Sequence, residues 1–132
     1  MREILFRGKP TRLKRFKWVH GQLLHHSEKL SNIYSVEIDH PSTVIPETVG
    51  QFTGLTDTNG VKIFEGDIVH VHDCLLKPSA PYHEFDGVIE HKNGSFVIVG
   101  ELITHYRWLD YDVTVLGNIH DNPELLEAAY GE

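Results

Sequence analysis

The sequence has almost no cysteine and no long apolar run, and these absences exclude disulfide-stabilised classes of protein and those with membrane-spanning helices. Cys74 is the only cysteine among 132 residues, so the chain cannot form an internal disulfide, which fits a reducing compartment. No apolar stretch approaches the roughly 18 residues that a membrane-spanning helix needs. The segment Met1–Ile4 lacks the apolar core of a signal peptide. These absences predict a cytoplasmic protein.

The sequence also lacks the motifs that mark common catalytic and cofactor sites. No CxxC, HExxH, GxSxG, GxxxxGK[ST] or GxGxxG pattern occurs. Asp57-x-Asn59-Gly60 superficially resembles part of a calcium loop. In that alignment Leu55 and Gly66 would stand where oxygen ligands are required, which excludes the loop. We predict that the protein binds no cofactor and is not an enzyme.

Ten histidines raise the question of a metal site. His70 and His72 are spaced to share one side of a strand, and Asp73 and Cys74 follow directly. Zinc sites need three or four ligands at characteristic spacings, which this segment lacks. The segment His25–Glu28 places imidazoles beside a hydroxyl, and Cys74 could pair with a distant imidazole, but no supporting motif surrounds either. The sequence therefore predicts no metal ligand and no catalytic residue.

Positive charge is concentrated near the start of the chain. The net charge is −7, yet residues 1–17 hold seven Lys and Arg against one Glu, which gives +6 there and −13 over the rest. Two interpretations follow. The cations either form an arm for nucleic acid or another polyanion, or they are solvated side chains of strands and turns beside an acidic body. The second is favoured, because an acidic body repels phosphate. The cations nearest the end of this segment are Arg12, Lys14, Arg15 and Lys17.

Apolar side chains mostly recur every second residue, which predicts strands. The clearest candidates are Phe16–Val19, Tyr34–Ile38, Ile68–His72, Phe96–Val99 and Val113–Leu116. No interior stretch keeps a helical period. The fold class is therefore predicted as all-β.

Turn and cap residues divide these strands. Asn93-Gly94 predicts a type I′ hairpin, since both central residues of that turn need positive φ. The segment Lys77–Pro81 reads as a loop. One helix is predicted at the end of the chain, with Asn122 as N-cap, Pro123 in the first position and Leu125, Leu126 and Ala129 as its apolar stripe.

Aromatic side chains offer a further candidate binding surface. Tyr106, Arg107 and Trp108 could stack on a ligand if their loop lies near Tyr82. The alternative is that these rings fill the core of a small β-barrel or its ends. Trp18, Tyr34 and Tyr111 are open to the same two interpretations.

A long central motif and both ends of the chain resemble the YopX family. The central motif reads IPETVGQFTGLTD over residues 45–57 and NGVKIFEGDIV over residues 59–69. The start reads MREI, FRGK and WVHGQL at residues 1–4, 6–9 and 18–23, and the ending reads LGNIHDNPELL at residues 116–126. The resemblance covers nearly the whole chain, apart from residues 73–86 and 100–111.

The resemblance implies an origin in bacteriophages or prophages and an SH3-like, partly open barrel over roughly residues 49–120. It implies no biochemical activity and carries over no functional residue. With the proline-containing run Pro41–Gly50 as divider, we predict a smaller N-terminal β unit at 1–48 and the barrel with a short C-terminal helix at 49–132. One continuous domain over 1–132 is the alternative.

These observations predict a non-enzymatic phage or prophage accessory protein in the cytoplasm of the bacterial host. The expected partner is a host or phage protein, because the acidic body disfavours DNA. The alternatives are nucleic-acid binding through the basic segment and a small enzyme of unknown class. A homo-oligomer stays open, since the edge strands of an open barrel must be paired or covered.

Overall fold

The computed structural model of the protein describes residues 4–73, 75–80, 83–101, 104–106, 108 and 111–129, the last three as backbone alone. Over these residues the chain is mainly β, with one short helix at its end. The strands are β1 Phe6–Gly8, β2 Val19–His26, β3 Ser31–Ser35, β4 His40–Val44, β5 Gly50–Thr56, β6 Lys62–Phe64, β7 Asp67–Asp73, β8 Glu84–Lys92, β9 Ser95–Val99, β10 Thr104–His105 and β11 Tyr111–Asn118. A 3₁₀ turn spans Pro46–Thr48, and the helix α1 spans Glu124–Ala129.

The chain divides into two compact units, Met1–Gly54 and Leu55–Glu132. The sequence places its boundary between residues 48 and 49, whereas this division of the chain falls within the residues of β5. This strand continues without a break from Gly50 to Thr56.

The first unit is built on an antiparallel sheet. Strands β4, β3, β2, β1 and β5 lie side by side in that order. Val19, Ile33 and Val44 are almost completely buried at the centre of this unit. Half-buried Phe6, Leu13, Phe16, Leu23 and Val49 pack around them.

The second unit contains a five-stranded antiparallel sheet with the order β10-β9-β8-β7-β11. Its core consists of Ile63, Val69, Val71, Ile89, Ile98, Trp108 and Val113. Alternate residues of β7 enter this core, because Val69 and Val71 point to the opposite side of the strand from His70 and His72. The predicted strands Ile68–His72, Phe96–Val99 and Val113–Leu116 all lie within this sheet.

The predicted hairpin joins β8 to β9. Asn93 has φ 52° and Gly94 has φ 79°, so both central residues adopt the left-handed conformation of a type I′ turn. Lys92 pairs with Ser95 across the turn, and the ladder continues to Val88 and Val99. The local sequence alone is therefore enough to place this turn.

The prediction of an all-β, partly open fold with an N-terminal β unit and a short C-terminal helix is confirmed. The described residues form two antiparallel sheets and no closed barrel. In the same part of the chain, no helix has the length and apolar character to span a membrane.

Two predicted strands were wrong at their ends. Phe16–Trp18 precede β2, whose first residue is Val19. Val36–Ile38 form a turn instead of extending β3. The Glu37 carboxylate accepts hydrogen bonds from the His20 backbone N–H at 2.8 Å and from the Ser35 hydroxyl at 3.0 Å, which holds this turn against β2.

The predicted helix begins close to its expected position. The Leu125 backbone N–H donates to the Asn122 carbonyl at 3.0 Å, so Asn122 marks the beginning of the first turn. Its side-chain oxygen accepts a hydrogen bond from the Asn118 N–H at 3.2 Å. Asn122 therefore ties the start of the helix to the end of β11.

Candidate functional site

The segment Lys9–Trp18, here called the basic loop, connects β1 to β2. Its side chains Arg12, Lys14, Arg15 and Lys17 are all exposed. These are the four cations that the sequence analysis singled out, and the structure places them on one short connection. The loop is consequently the most concentrated display of positive charge among the described residues.

Apolar side chains between the cations anchor the basic loop. Leu13 and Phe16 are half-buried and pack against the core of the first unit. The Phe16 N–H donates to the Leu13 carbonyl at 3.1 Å, which turns the chain between the two anchors. The Thr11 N–H donates to the Thr43 carbonyl of β4 at 3.0 Å and fixes the beginning of the loop. Because the apolar residues point inward, the cations between them are directed outward.

Cations also surround the aromatic ring that ends the loop. The Arg7 guanidinium carbon lies 4.5 Å from the centroid of the Trp18 ring, and the Lys9 ammonium lies 5.6 Å from it. Both distances are within the range of cation–π attraction. The Arg15 guanidinium lies in the same way 5.0 Å from the Phe16 ring. Trp18, for which the sequence left a ligand surface and the core as alternatives, is half-buried and lies beside the Arg7 and Lys9 cations.

Charge is divided between the two units. The sequence of Met1–Gly54 carries eight Lys and Arg against five Asp and Glu, a net charge of +3. The sequence of Leu55–Glu132 carries four against fourteen, a net charge of −10. An acidic ligand is therefore attracted by the first unit and repelled by the second.

The predicted aromatic surface is corrected at Trp108. Its side chain belongs to the core of the second unit, with 6% of its surface exposed. The indole N–H donates to the Phe96 carbonyl at 3.0 Å, so its polar atom is satisfied inside the protein. Tyr106 is exposed, as predicted, whereas Tyr82 and Arg107 lie outside the described residues. Among the described residues of this predicted surface, Tyr106 is therefore exposed and Trp108 is not.

Histidines and carboxylates share one face of the second sheet. His70 pairs with Thr114 and Asp86 across the neighbouring strands, and His72 pairs with Asp112 and Glu84. The side chains of His70 and His72 are 42% and 40% exposed, so this face of β7 is open to solvent.

The rings of His70 and His72 are hydrogen-bonded to other titratable side chains on this face. His70 Nδ1 lies 2.7 Å from Asp86 Oδ1, and its Nε2 lies 3.1 Å from Glu84 Oε1. The hydrogen bond with Asp86 raises the pKa of His70 above its usual value, and Glu84 adds to this effect. His72 Nε2 lies 3.0 Å from His83 Nε2, a distance at which one ring donates and the other accepts. Within the described residues, no group of three or more His, Cys, Asp or Glu is arranged to hold a metal ion.

The segment His25–Glu28 does not assemble a nucleophile and a base. His26 Nδ1 lies 2.7 Å from the Ser31 hydroxyl, but Ser31 is completely buried. The Ser27 hydroxyl instead accepts the Leu30 N–H at 3.0 Å and stabilises the turn between β2 and β3. Cys74, the other candidate nucleophile, lies outside the described residues.

The fold and the basic loop define a class of protein: a two-unit antiparallel β protein that presents an ordered cationic loop from its first unit. The family model of the YopX protein matches residues 6–127, and the chain belongs to the YopX family. The resemblance seen in the sequence is thereby confirmed.

A solved structure shares this fold. The crystal structure of protein EF1440 from Enterococcus faecalis is similar to this chain with a TM-score of 0.55 and 25% sequence identity. The match covers 96% of this chain and 100% of that chain. A comparison with curated proteins found no match.

Proposed function

We propose that this protein is a non-enzymatic accessory protein of a bacteriophage or prophage that acts in the cytoplasm of the bacterial host. In this proposal the basic loop binds an acidic surface of a host or phage protein. The observation that carries it is the exposure of Arg12, Lys14, Arg15 and Lys17 on a loop whose apolar residues are anchored in the core.

Anchoring makes the cations effective as a recognition surface. A flexible basic segment loses backbone freedom when it binds, at a cost of about 1–2 kcal/mol for each residue that becomes fixed. Leu13 and Phe16 already fix the backbone of the loop, so less of this freedom has to be lost. Exposed ion pairs contribute about 0.2–1 kcal/mol each. Four of them therefore orient a partner and accelerate association more than they determine the final affinity.

Binding to nucleic acid is the second candidate function, and the same loop supports it. Contacts with four phosphates would give a salt slope of about −3.6, which weakens binding by a factor on the order of 10² between 50 and 200 mM salt. The net charge of −10 on the second unit argues against this candidate, because an acidic unit in the same chain repels a phosphate backbone. A compact acidic surface on a protein avoids this repulsion.

The absence of enzyme activity is part of the proposal. It is supported by the burial of Ser31 beside His26 and by the use of the Ser27 hydroxyl within its own turn. Neither hydroxyl is positioned to attack a substrate.

A charge-reversal experiment tests the proposal. The loop variant replaces Arg12, Lys14, Arg15 and Lys17 by Glu, and the control variant replaces the exposed Lys29, Lys62, Lys77 and Lys92 by Glu. Both variants change the net charge by the same amount. Poly-L-glutamate serves as the acidic polypeptide and a 20-base-pair DNA duplex as the nucleic acid, each titrated at 50 and 200 mM salt.

We expect the wild-type protein and the control variant to bind poly-L-glutamate and the loop variant to lose this binding. An equal loss in both variants would assign the effect to total charge and overturn the role of the loop. If the wild-type protein bound the DNA duplex more tightly than poly-L-glutamate, with the steep salt slope given above, nucleic acid would be the ligand of the loop instead of a protein. Affinity capture from infected cells with the wild type and the loop variant would then identify the partner as the protein that only the wild type retains.

A further inference from the structure

The second unit contains a cavity of about 220 Å³ at one end of its core. Leu55, Ile63 and Val113 form its aliphatic wall, and Trp108 and Tyr111 form its aromatic wall. Sites for small organic ligands usually occupy about 300–1,000 Å³. This cavity is smaller than that range, so it suits a single large side chain better than a complete small-molecule ligand.

A carboxylate completes the wall of the cavity. Asp57 Oδ1 accepts the backbone N–H groups of Asn59 at 2.8 Å and Val61 at 2.9 Å, and Oδ2 accepts that of Val115 at 3.0 Å. Burial alone would raise the pKa of Asp57, but these three hydrogen bonds outweigh it and lower the pKa below its usual value. The group is therefore ionised at neutral pH.

This carboxylate has the capacity for one more donor. An ionised carboxylate offers about four acceptor positions, of which three are occupied here. Asp57 is 7% exposed, and it lines the cavity. Its negative charge is therefore close to any group that enters the cavity, and it attracts a cation there.

The aromatic wall suits a cation as well. The Trp108 N–H is occupied by the Phe96 carbonyl, so the indole offers its ring and no donor to the cavity. A cation near the face of a Trp or Tyr ring is attracted by the ring electrons. Aliphatic, aromatic and anionic groups thus line one small space.

We propose that this cavity binds an arginine or lysine side chain from a basic segment of a partner protein. The aliphatic stem of such a side chain packs against Leu55, Ile63 and Val113, and its charged head faces Asp57 and the aromatic rings. The net charge of −10 on this unit attracts a basic segment over a longer range. A neutral apolar side chain would pack against the same aliphatic and aromatic residues but would gain nothing from the Asp57 carboxylate.

This site is separate from the basic loop and requires a partner surface of opposite charge. The two proposals succeed or fail independently, because each concerns residues of only one unit. The loop variant described above should therefore keep its affinity for an arginine peptide.

The test uses short peptides of defined charge on the full chain. The probe is acetyl-Gly-Arg-Gly-amide, and its control is the same peptide with citrulline, which keeps the shape of arginine without its charge. Binding is followed by NMR through the methyl groups of Ile63 and Val113. Thr56→Lys places a competing cation beside the cavity, at an exposed residue. Ser95→Lys makes the same charge change at an exposed residue that does not line the cavity.

We expect saturable methyl shifts with the arginine peptide, and at least tenfold weaker binding of the citrulline peptide. Thr56→Lys should weaken arginine binding by tenfold or more, whereas Ser95→Lys should change it by less than twofold. Equal affinity for the two peptides would show that the charge of arginine does not contribute to binding, and it would overturn the proposal. An equal loss in the two variants, or the absence of methyl shifts at millimolar peptide, would overturn it too.

Discussion

The backbone N–H of Val115 donates a hydrogen bond of 3.0 Å to Asp57 Oδ2, across 58 positions of the sequence. Oδ1 of the same carboxylate closes the turn that follows β5 by accepting the N–H groups of Asn59 and Val61. One buried side chain therefore joins a local turn to the edge strand β11. Its removal affects both.

Asp57→Ala should destabilise the protein by about 3 kcal/mol, because three backbone N–H groups lose a charged acceptor in a largely buried place. Asp112→Ala is the control, since Asp112 is mostly exposed and its loss should cost less than about 1 kcal/mol. Urea unfolding at pH 7 measures both variants. Equal effects would contradict a special role for Asp57.

The contribution of Asp57 should also depend on pH. A lowered pKa in the folded state means stability that is present above the usual value of 3.8 and lost as the pH falls through the folded pKa. The difference in unfolding free energy between the wild type and Asp57→Asn should therefore shrink below pH 3.8. A difference that stays constant between pH 7 and pH 3 would show that the carboxylate charge is irrelevant.

His70 should titrate above the usual histidine value of 6.5, because its ring is hydrogen-bonded to Asp86 and Glu84. Asp86→Asn should lower its pKa more than Glu84→Gln does, since Asp86 makes the dominant contact. NMR titration of the ring protons measures these values. The opposite order of the two variants would contradict the assignment.

This titration has a consequence for stability with a defined sign. A raised pKa gives His70 a stabilising contribution that is complete below pH 6.5 and is lost as the pH rises through the folded pKa. Asp86→Asn should therefore cost more stability at pH 5.5 than at pH 8.5. Unfolding measurements at the two pH values give the comparison directly.

Gly87→Ala should destabilise the protein by about 1–3 kcal/mol through overcrowding of the core. A Cβ at this position would lie 2.6 Å from Ile98 Cγ2 and 2.9 Å from the Val99 carbonyl oxygen. That oxygen belongs to the neighbouring strand β9 and cannot easily move away.

Gly94→Ala separates crowding from backbone strain. A Cβ there meets nothing within 4 Å, but φ is +79°, so only the conformational cost applies. Gly94→Asn should recover part of that loss, since Asn tolerates this conformation. Denaturant unfolding measures the free energy of unfolding of the three variants. If Gly87→Ala left this free energy unchanged, the close packing of β8 on β9 would be contradicted.

Local signals account for the parts of the fold that the sequence predicted well. The Asn93-Gly94 turn depends on the two residues that form it, and the alternation in Ile68–His72 depends on neighbours within one strand. Val36–Ile38 alternate as well, yet they form a turn because Glu37 is held by His20 from another strand. Such a partner, 17 positions away, is invisible to a local pattern.

The candidate sites were predicted less completely for the same reason. Charge alone identified Arg12, Lys14, Arg15 and Lys17, because a cluster of cations is visible in sequence. The anchoring roles of Leu13 and Phe16 depend on their packing against the core of the first unit, which a local pattern does not show. Their three-residue spacing within a basic segment was nevertheless a sign that both could face inward. The sequence left Trp108 open between a binding surface and the core, because aromatic residues in an irregular segment do not reveal whether they are buried.

The turn at Asp57 and Thr58 has a consequence for how copies of this protein behave at high concentration. The Thr58 N–H donates to the Val113 carbonyl at 3.0 Å, next to the bond between Asp57 and Val115. These two bonds occupy backbone groups on the outer edge of β11, which a strand from another molecule would otherwise use. The β-bulge between Val115 and Gly117 interrupts the regular ladder a little further along. These features make this edge a poor template for the successive addition of strands that builds fibrils.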